Sequence, residues 1–142
     1  MQSNPYAKMR ENAVLTAPKE ELTLMLYDGA VRFANQALAA AKEKDVAKTH
    51  HFLLRTQEVI REFQLTLDRK HDVAQHFDTM YEYIHRRLVD ANVSKDVDTI
   101  EECRNLISGM RDIWKEAMVI ARQGASSSDQ PQQHINLSIG NK

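Results

Sequence analysis

Little in this chain of 142 residues is available to break helices or staple loops: it has four glycines, three prolines and one cysteine. Aromatic residues make up only 6%. So few turn-formers and aromatics argue against a β-rich fold with frequent tight turns. A lone cysteine, Cys103, has no partner for a disulfide and fits a reducing compartment, where it serves as a small apolar residue. The formal net charge of -1 supplies no field for nucleic acid or an anionic membrane. No apolar run approaches the 18 residues a membrane helix needs. The opening MQSNPYAKMREN also lacks the apolar stretch of a secretory signal, so a cytoplasmic protein is expected.

What is present is helical periodicity. Residues are 42% apolar and 27% charged, ordinary for a globular chain long enough to bury a core without staples. In residues 100–121, Ile100, Cys103, Ile107, Met110, Trp114, Ala117 and Ala121 recur at alternating steps of three and four. That spacing is the seam a helix buries lengthwise against others. Leu53, Thr56, Ile60, Phe63 and Leu67 form a second seam, and Phe77, Tyr81, Ile84, Leu88 and Ala91 a third. Four helices are predicted, over about 17–44, 46–69, 73–92 and 97–123. Thr16 with Pro18 opens the first, Asp45 the second, Asp72 with Gln75 the third and Asp96 the fourth; Asn92 and Gly124 close the last two. Connections of a few residues force antiparallel neighbours. The expected architecture is all-α: an antiparallel up-down four-helix bundle over 16–124. An N-terminal flap (1–15) precedes it, and a polar, disordered tail (125–142) follows. Within the tail, Ile135, Leu137 and Ile139 read either as a short docking motif or, the favoured reading, as part of a floppy end with no partner.

Two helices carry more apolar surface than one seam explains. On the last helix Leu106, Ile113 and Ile120 recur every seven residues, turned aside from the main seam. On the first, Leu22, Leu26, Gly29, Phe33 and Ala37 form one row, and Leu24, Tyr27, Val31, Ala34 and Leu38 another, an arc roughly 200° wide. The mid-helix Gly29, which costs about 1 kcal/mol against alanine, is expected to admit a neighbouring backbone. Leu54 and Leu65 lie opposite the core seam of the second helix. Broad arcs arise when a helix has two neighbours. They also arise in a groove that accepts amphipathic helices, with Tyr6, Met9, Val14 and Leu15 of the flap as a cover. Homodimerisation through the same surface is the competing use.

Enzyme chemistry finds no support. Glu82 and His85 stand in a Glu-x-x-His pair, but a di-iron bundle needs two such pairs and further inward carboxylates. His50 and His51 diverge by about 100° on a helix. His71 and His76 are five apart and misaligned as well. A phosphotransfer bundle wants a basic residue and glycine soon after its histidine, and neither His51 nor His76 has them. No phosphate loop or serine elbow occurs. No cofactor, metal or small-molecule substrate is therefore expected. Arg86 and Arg87 read equally as a grip on a partner's carboxylates or as partners of Glu82 and Asp90 on their own helix.

The segment LTAPKEELTLMLYDGA (15–30) resembles the first helix of the flagellar export chaperone family, FliS, and Asn4-Pro5-Tyr6 resembles its N-terminal motif. YEYIHRRLVDAN (81–92) and WKEAM (114–118) resemble its third and fourth helices, so the likeness spans about residues 4–118. It departs in its longer polar tail and in the Thr16-Ala-Pro-Lys turn. The resemblance implies a cytosolic bundle that binds the disordered C-terminal region of flagellin, which folds into helices around it. Premature polymerisation is thereby prevented and the subunit presented to the membrane export gate. In some relatives the N-terminal segment covers part of the surface and moves aside. Joined to the surplus rows, it makes Tyr6, Leu24, Tyr27, Val31, Leu54, Leu65, Arg87, Ile113 and Ile120 the expected partner-binding residues, with a homodimer as the client-free alternative.

Overall fold

A computed structural model describes residues 19–70 and 74–126 of the chain. Four helices follow one another: α1 (Lys19–Lys42), α2 (Val46–Thr66), α3 (Ala74–Ser94) and α4 (Val97–Ser126). Each packs against its sequence neighbours and α1 closes on α4, giving a square bundle with α1 diagonal to α3. The flap, the Thr16–Pro18 start, Asp72 of the expected capping box and residues 127–142 lie outside the described residues.

Local chemistry sets the two short connections. Glu20 and Glu21 oppose the positive end of α1, and Lys42 its negative end. After α1, Lys44 adopts a left-handed backbone at φ 60°. Its N–H reaches the Ala41 carbonyl at 3.0 Å, and the Asp45 N–H reaches that of Ala40 at 2.9 Å, the paired bonds of a Schellman ending. Asp45 then caps α2, its carboxylate accepting from the Lys48 N–H at 3.1 Å. The same Lys-Asp-Val string recurs at 95–97. Lys95 is left-handed at φ 57°, and its N–H reaches the Ala91 carbonyl at 2.7 Å. Asp96 caps α4 through the Thr99 N–H at 2.9 Å.

Some boundaries differ from the periodic reading. Helix α2 stops at Thr66, because Leu67 turns extended and Asp68 accepts from the Lys70 N–H at 3.1 Å. Arg69 there donates to the Gln64 carbonyl at 3.1 Å and pairs with Asp78 at 3.1 Å, tying the turn to α3. Helix α3 runs past Asn92 to Ser94, and the Asn92 side-chain oxygen instead meets His50 Nδ1 at 3.1 Å. Helix α4 continues beyond Gly124.

The core holds the seams expected of α2, α3 and α4: Leu53, Ile60 and Phe63; Tyr81, Ile84 and Leu88; Ile100, Cys103 and Ile107. Each such aliphatic side chain contributes about 1.5–3 kcal/mol by leaving water. Buried Thr56 satisfies its hydroxyl on the Phe52 carbonyl at 2.8 Å, so the polar group adds no orphan donor. At the centre Tyr27 stacks on Phe63 at 4.4 Å, Phe63 on Tyr81 at 5.4 Å and Tyr81 on Phe77 at 6.2 Å.

Helix α1 brings a correction. Its core row is Tyr27, Ala30, Val31, Ala34, Ala37, Leu38 and Ala41, all buried. The row Leu22, Leu26 and Phe33 stays half-buried on a flank. Alanines at 30, 34, 37 and 41 let a neighbouring helix come close, which bulkier Leu26 and Phe33 would prevent. The expected backbone approach at Gly29 does not occur. A Cβ built there meets only the Arg32 side chain, at 3.7 Å.

Candidate partner-binding grooves

The four seams of the bundle are dressed differently. Between α1 and α4, Arg111 pairs with Asp28 at 3.4 Å and Arg104 donates to the Asn35 side chain at 2.8 Å. Nearer the open end, Trp114 Nε1 donates to the Glu20 carbonyl at 3.1 Å. Between α2 and α3, His50 meets Asn92, Gln64 donates to Glu82 at 3.0 Å and Arg69 holds Asp78. Burial and the nearby Arg61 charge push the His85 imidazole below its ordinary pKa, partly offset by Glu82. These two seams, on opposite sides of the square, are closed by polar bridges.

The other two sides present apolar flanks. At about 100° per residue, Leu22, Leu26 and Phe33 project from α1 away from Asp28 and Asn35, and so toward α2. There Phe33 stacks on Phe52 at 6.4 Å, and Leu26, Phe52 and Val59 pack partly buried against the core. Gly29 leaves a notch in that row. On the opposite side, the α3–α4 seam has two parts. Near the Lys95 turn Arg87 Nη2 donates to Glu102 at 2.8 Å, Arg87 Nη1 to Asp90 at 3.1 Å and the Tyr83 hydroxyl to Glu102 at 3.2 Å. The Arg87 hydrogen bond holds the Glu102 carboxyl below the usual carboxylate range, and Arg87 is pushed up in turn. Arg86 lies 5.7 Å from the centre of the Tyr83 ring. Beyond this latch the seam turns apolar. Met80 is 37% and Ile113 58% exposed, with Leu106 and Ile120 half-buried on the same flank of α4.

The expected partner-binding residues are therefore split. Tyr27, 1% exposed, and Val31, 9% exposed, belong to the core and are withdrawn from the surface set. Arg87 holds Glu102 and Asp90 within the chain, so it is left out of the apolar contact set. Leu24 is half-buried on the α4 side of α1. Leu54, 38% exposed, and Leu65, 79% exposed, project from α2 on the side of Arg61, beyond the polar seam with α3. Ile113 and Ile120 sit together on the α3–α4 flank. Tyr6 lies outside the described residues. Sequence reasoning missed Met80 and Tyr83, although with Arg87 they form an i, i+3, i+7 row beside the α3 seam. It also left Leu22, Leu26 and Phe33 out of the expected partner-binding residues.

No helix among the described residues is long and apolar enough to cross a membrane. Nor do three metal-ligating side chains gather anywhere among those residues. The chemistry on offer is apolar contact along two opposite faces of the bundle. Relatives of this chain share a name that fits such a surface. The flagellar secretion chaperone FliS of Bacillus subtilis is 35% identical over 125 residues, covering 88% of this chain and 94% of its own length. The flagellar secretion chaperone FliS of Salmonella typhimurium is 32% identical over 119 residues, covering 78% and 85% respectively. That of Escherichia coli is 29% identical over 112 residues, covering 77% and 82%. The family described as "Flagellar protein FliS" matches residues 2–121, the whole bundle apart from the last turns of α4, and the chain accordingly belongs to the FliS family of flagellar secretion chaperones.

Proposed function

We propose that this protein works in the cytoplasm as an export chaperone for flagellin. It binds the subunit's disordered C-terminal region, blocks premature polymerisation and supports delivery to the flagellar export gate. The observation that carries this reading is the pair of apolar flanks on opposite sides of one bundle, Leu22/Leu26/Phe33 and Met80/Ile113/Ile120. Apolar strips left partly open to solvent in this way call for a partner. Opposite faces suit a chain that wraps around the bundle better than a single flat interface. Flagellin's terminal helices must bury apolar stripes against other subunits, so a free chain needs substitute seams. Ordering such a client costs roughly 2–5 kcal/mol of the contact energy, which suits a complex that must later release. Leu24, Leu54, Leu65, Ile113 and Ile120, with Tyr6 of the N-terminal segment, are the proposed contacts that remain, joined by Leu26, Phe33 and Met80.

The test mixes the purified protein with a peptide of the flagellin C-terminal region. A stoichiometric complex by native mass spectrometry, with a gain in helical circular dichroism beyond the sum of the parts, is expected. Absence of a complex, or a homodimer that the peptide does not disturb, would overturn the reading.

A further inference from the structure

The apolar part of the α3–α4 flank lies next to where α4 hands the chain to residues 127–142. We infer that this tail folds back along that flank and seats Ile135, Leu137 and Ile139 against Ile113, Ile120 and Met80, so that the protein carries its own competitor for the groove.

Reach, pattern and position support this occupant. Ser126 and Ile113 are 13 residues apart on α4, about 20 Å at 1.5 Å per residue. The nine residues 127–135 extend to about 30 Å, more than enough to return to the level of Ile113. Their composition, SSDQPQQHI, is polar, and Pro131 opposes any simple continuation of α4. Beyond this tether Ile135, Leu137 and Ile139 alternate with Asn136 and Ser138. An extended chain therefore turns all three apolar side chains to one face, roughly 6.6 Å apart. They run along a row whose members Ile113 and Ile120 are about 10 Å apart. One acid, Asp129, and one base, Lys142, balance among its side chains, and both lie outside the 135–139 stretch. The N-terminal segment is the competing occupant, because α1 begins beside α4 at the same end of the bundle, where Trp114 donates to the Glu20 carbonyl.

A tether of this length gives the tail a millimolar effective concentration, so modest contacts suffice to keep it seated most of the time. If the groove is four-fifths occupied, the apparent affinity of any outside ligand for it falls about fivefold. Docking of the tail stands by itself, whereas its competition with a client rests on the function proposed above.

The experiment uses the full chain with isotope-labelled isoleucine methyl groups and Leu137→Asp, a change remote from the bundle core. Docking predicts that the methyl resonances of Ile113 and Ile120 move while that of core Ile60 stays. Superimposable spectra would overturn the proposal. A shift that fades on dilution of the unsubstituted protein would assign the tail to a second copy, and one reproduced only by Tyr6→Asp would assign the groove to the N-terminal segment; either result overturns docking within the chain. Titration with the flagellin C-terminal peptide completes the test, with about fivefold tighter binding expected for Leu137→Asp. Equal affinities would overturn the competition. Moved methyls with no peptide binding to either form would uphold docking and overturn the chaperone reading instead.

Discussion

The hydroxyls of Tyr27 and Tyr81 meet at 2.6 Å inside the bundle and join the diagonal helices α1 and α3. Either oxygen can donate, and both rings stack on Phe63 of α2. One polar contact and one aromatic column thus fix the relative height of three helices. An all-aliphatic core would specify that register less sharply.

Removing one member of the pair strands the other. Tyr27→Phe leaves the Tyr81 hydroxyl buried without its partner, which is expected to cost about 1–3 kcal/mol in urea unfolding. Tyr81→Phe should behave alike. The double variant should recover most of the loss, because two apolar rings then pack where two hydroxyls had required each other. A double variant that sums the two single losses would show that the hydroxyls act separately.

The same pair predicts an alkaline limit. Burial raises the Tyr27 hydroxyl well above the ordinary value of 10, and the neighbouring Tyr81 raises it further. Burial also raises Tyr81, partly offset by its hydrogen bond to Tyr27. The folded state therefore keeps both protons at a pH where unfolded tyrosines have lost theirs. Stability from this source is complete below the unfolded value and falls as pH rises beyond it. The slope is about 1.4 kcal/mol per pH unit for each such tyrosine. Unfolding free energy measured from pH 8 to 11.5 should bend downward above pH 10, and the double phenylalanine variant should bend less.

Gly29 yields a prediction opposite in sign to the one its position first suggests. A mid-helix glycine on an apolar row reads as a close helix crossing, yet only the flexible end of Arg32 comes within 4 Å of its absent Cβ. Gly29→Ala should therefore stabilise α1, by about 0.5–1 kcal/mol, through the smaller entropy lost on folding. Thermal unfolding checks the sign. A destabilised variant would mean that the α1–α2 groove is tighter than its side chains indicate.

That example marks the division between what was legible beforehand and what was not. The seams of α2, α3 and α4 follow from periodicity because each has one dominant apolar stripe. The caps Asp45 and Asp96 follow from contacts three residues long. Helix α1 has two stripes, and the choice between them depends on how near a neighbour can come, a property of the pair of helices. Alanines at 30, 34 and 37 carried that information but score weakly as hydrophobic signals. Arg87 gave away its Asp90 partner through helical spacing, while Glu102 lies fifteen residues on in another helix. The left-handed sites at Lys44 and Lys95 were hidden as well, since lysine is not the residue that usually marks them. In the candidate site, Ile113 and Ile120 were found as a row, but Met80 and Tyr83 became neighbours only once α3 was laid against α4.

Ile113 and Ile107 sit six residues apart on α4, on different faces, and separate binding from folding. Ile113 is 58% exposed on the α3–α4 flank, whereas Ile107 is wholly buried. Ile113→Asp should leave helical content unchanged and global stability within about 1 kcal/mol, since little core contact is lost. It should weaken binding of a flagellin C-terminal peptide at least tenfold, because a buried isoleucine in the complex is worth about 1.5–3 kcal/mol and a charge in its place adds a desolvation penalty. Ile107→Ala should do the reverse. It opens a cavity costing about 2–5 kcal/mol while the folded fraction binds the peptide with unchanged affinity. Calorimetric titration paired with urea unfolding reads both quantities on the same samples. Unaltered peptide affinity in Ile113→Asp would remove the α3–α4 flank from the client surface and leave the α1–α2 side to carry it.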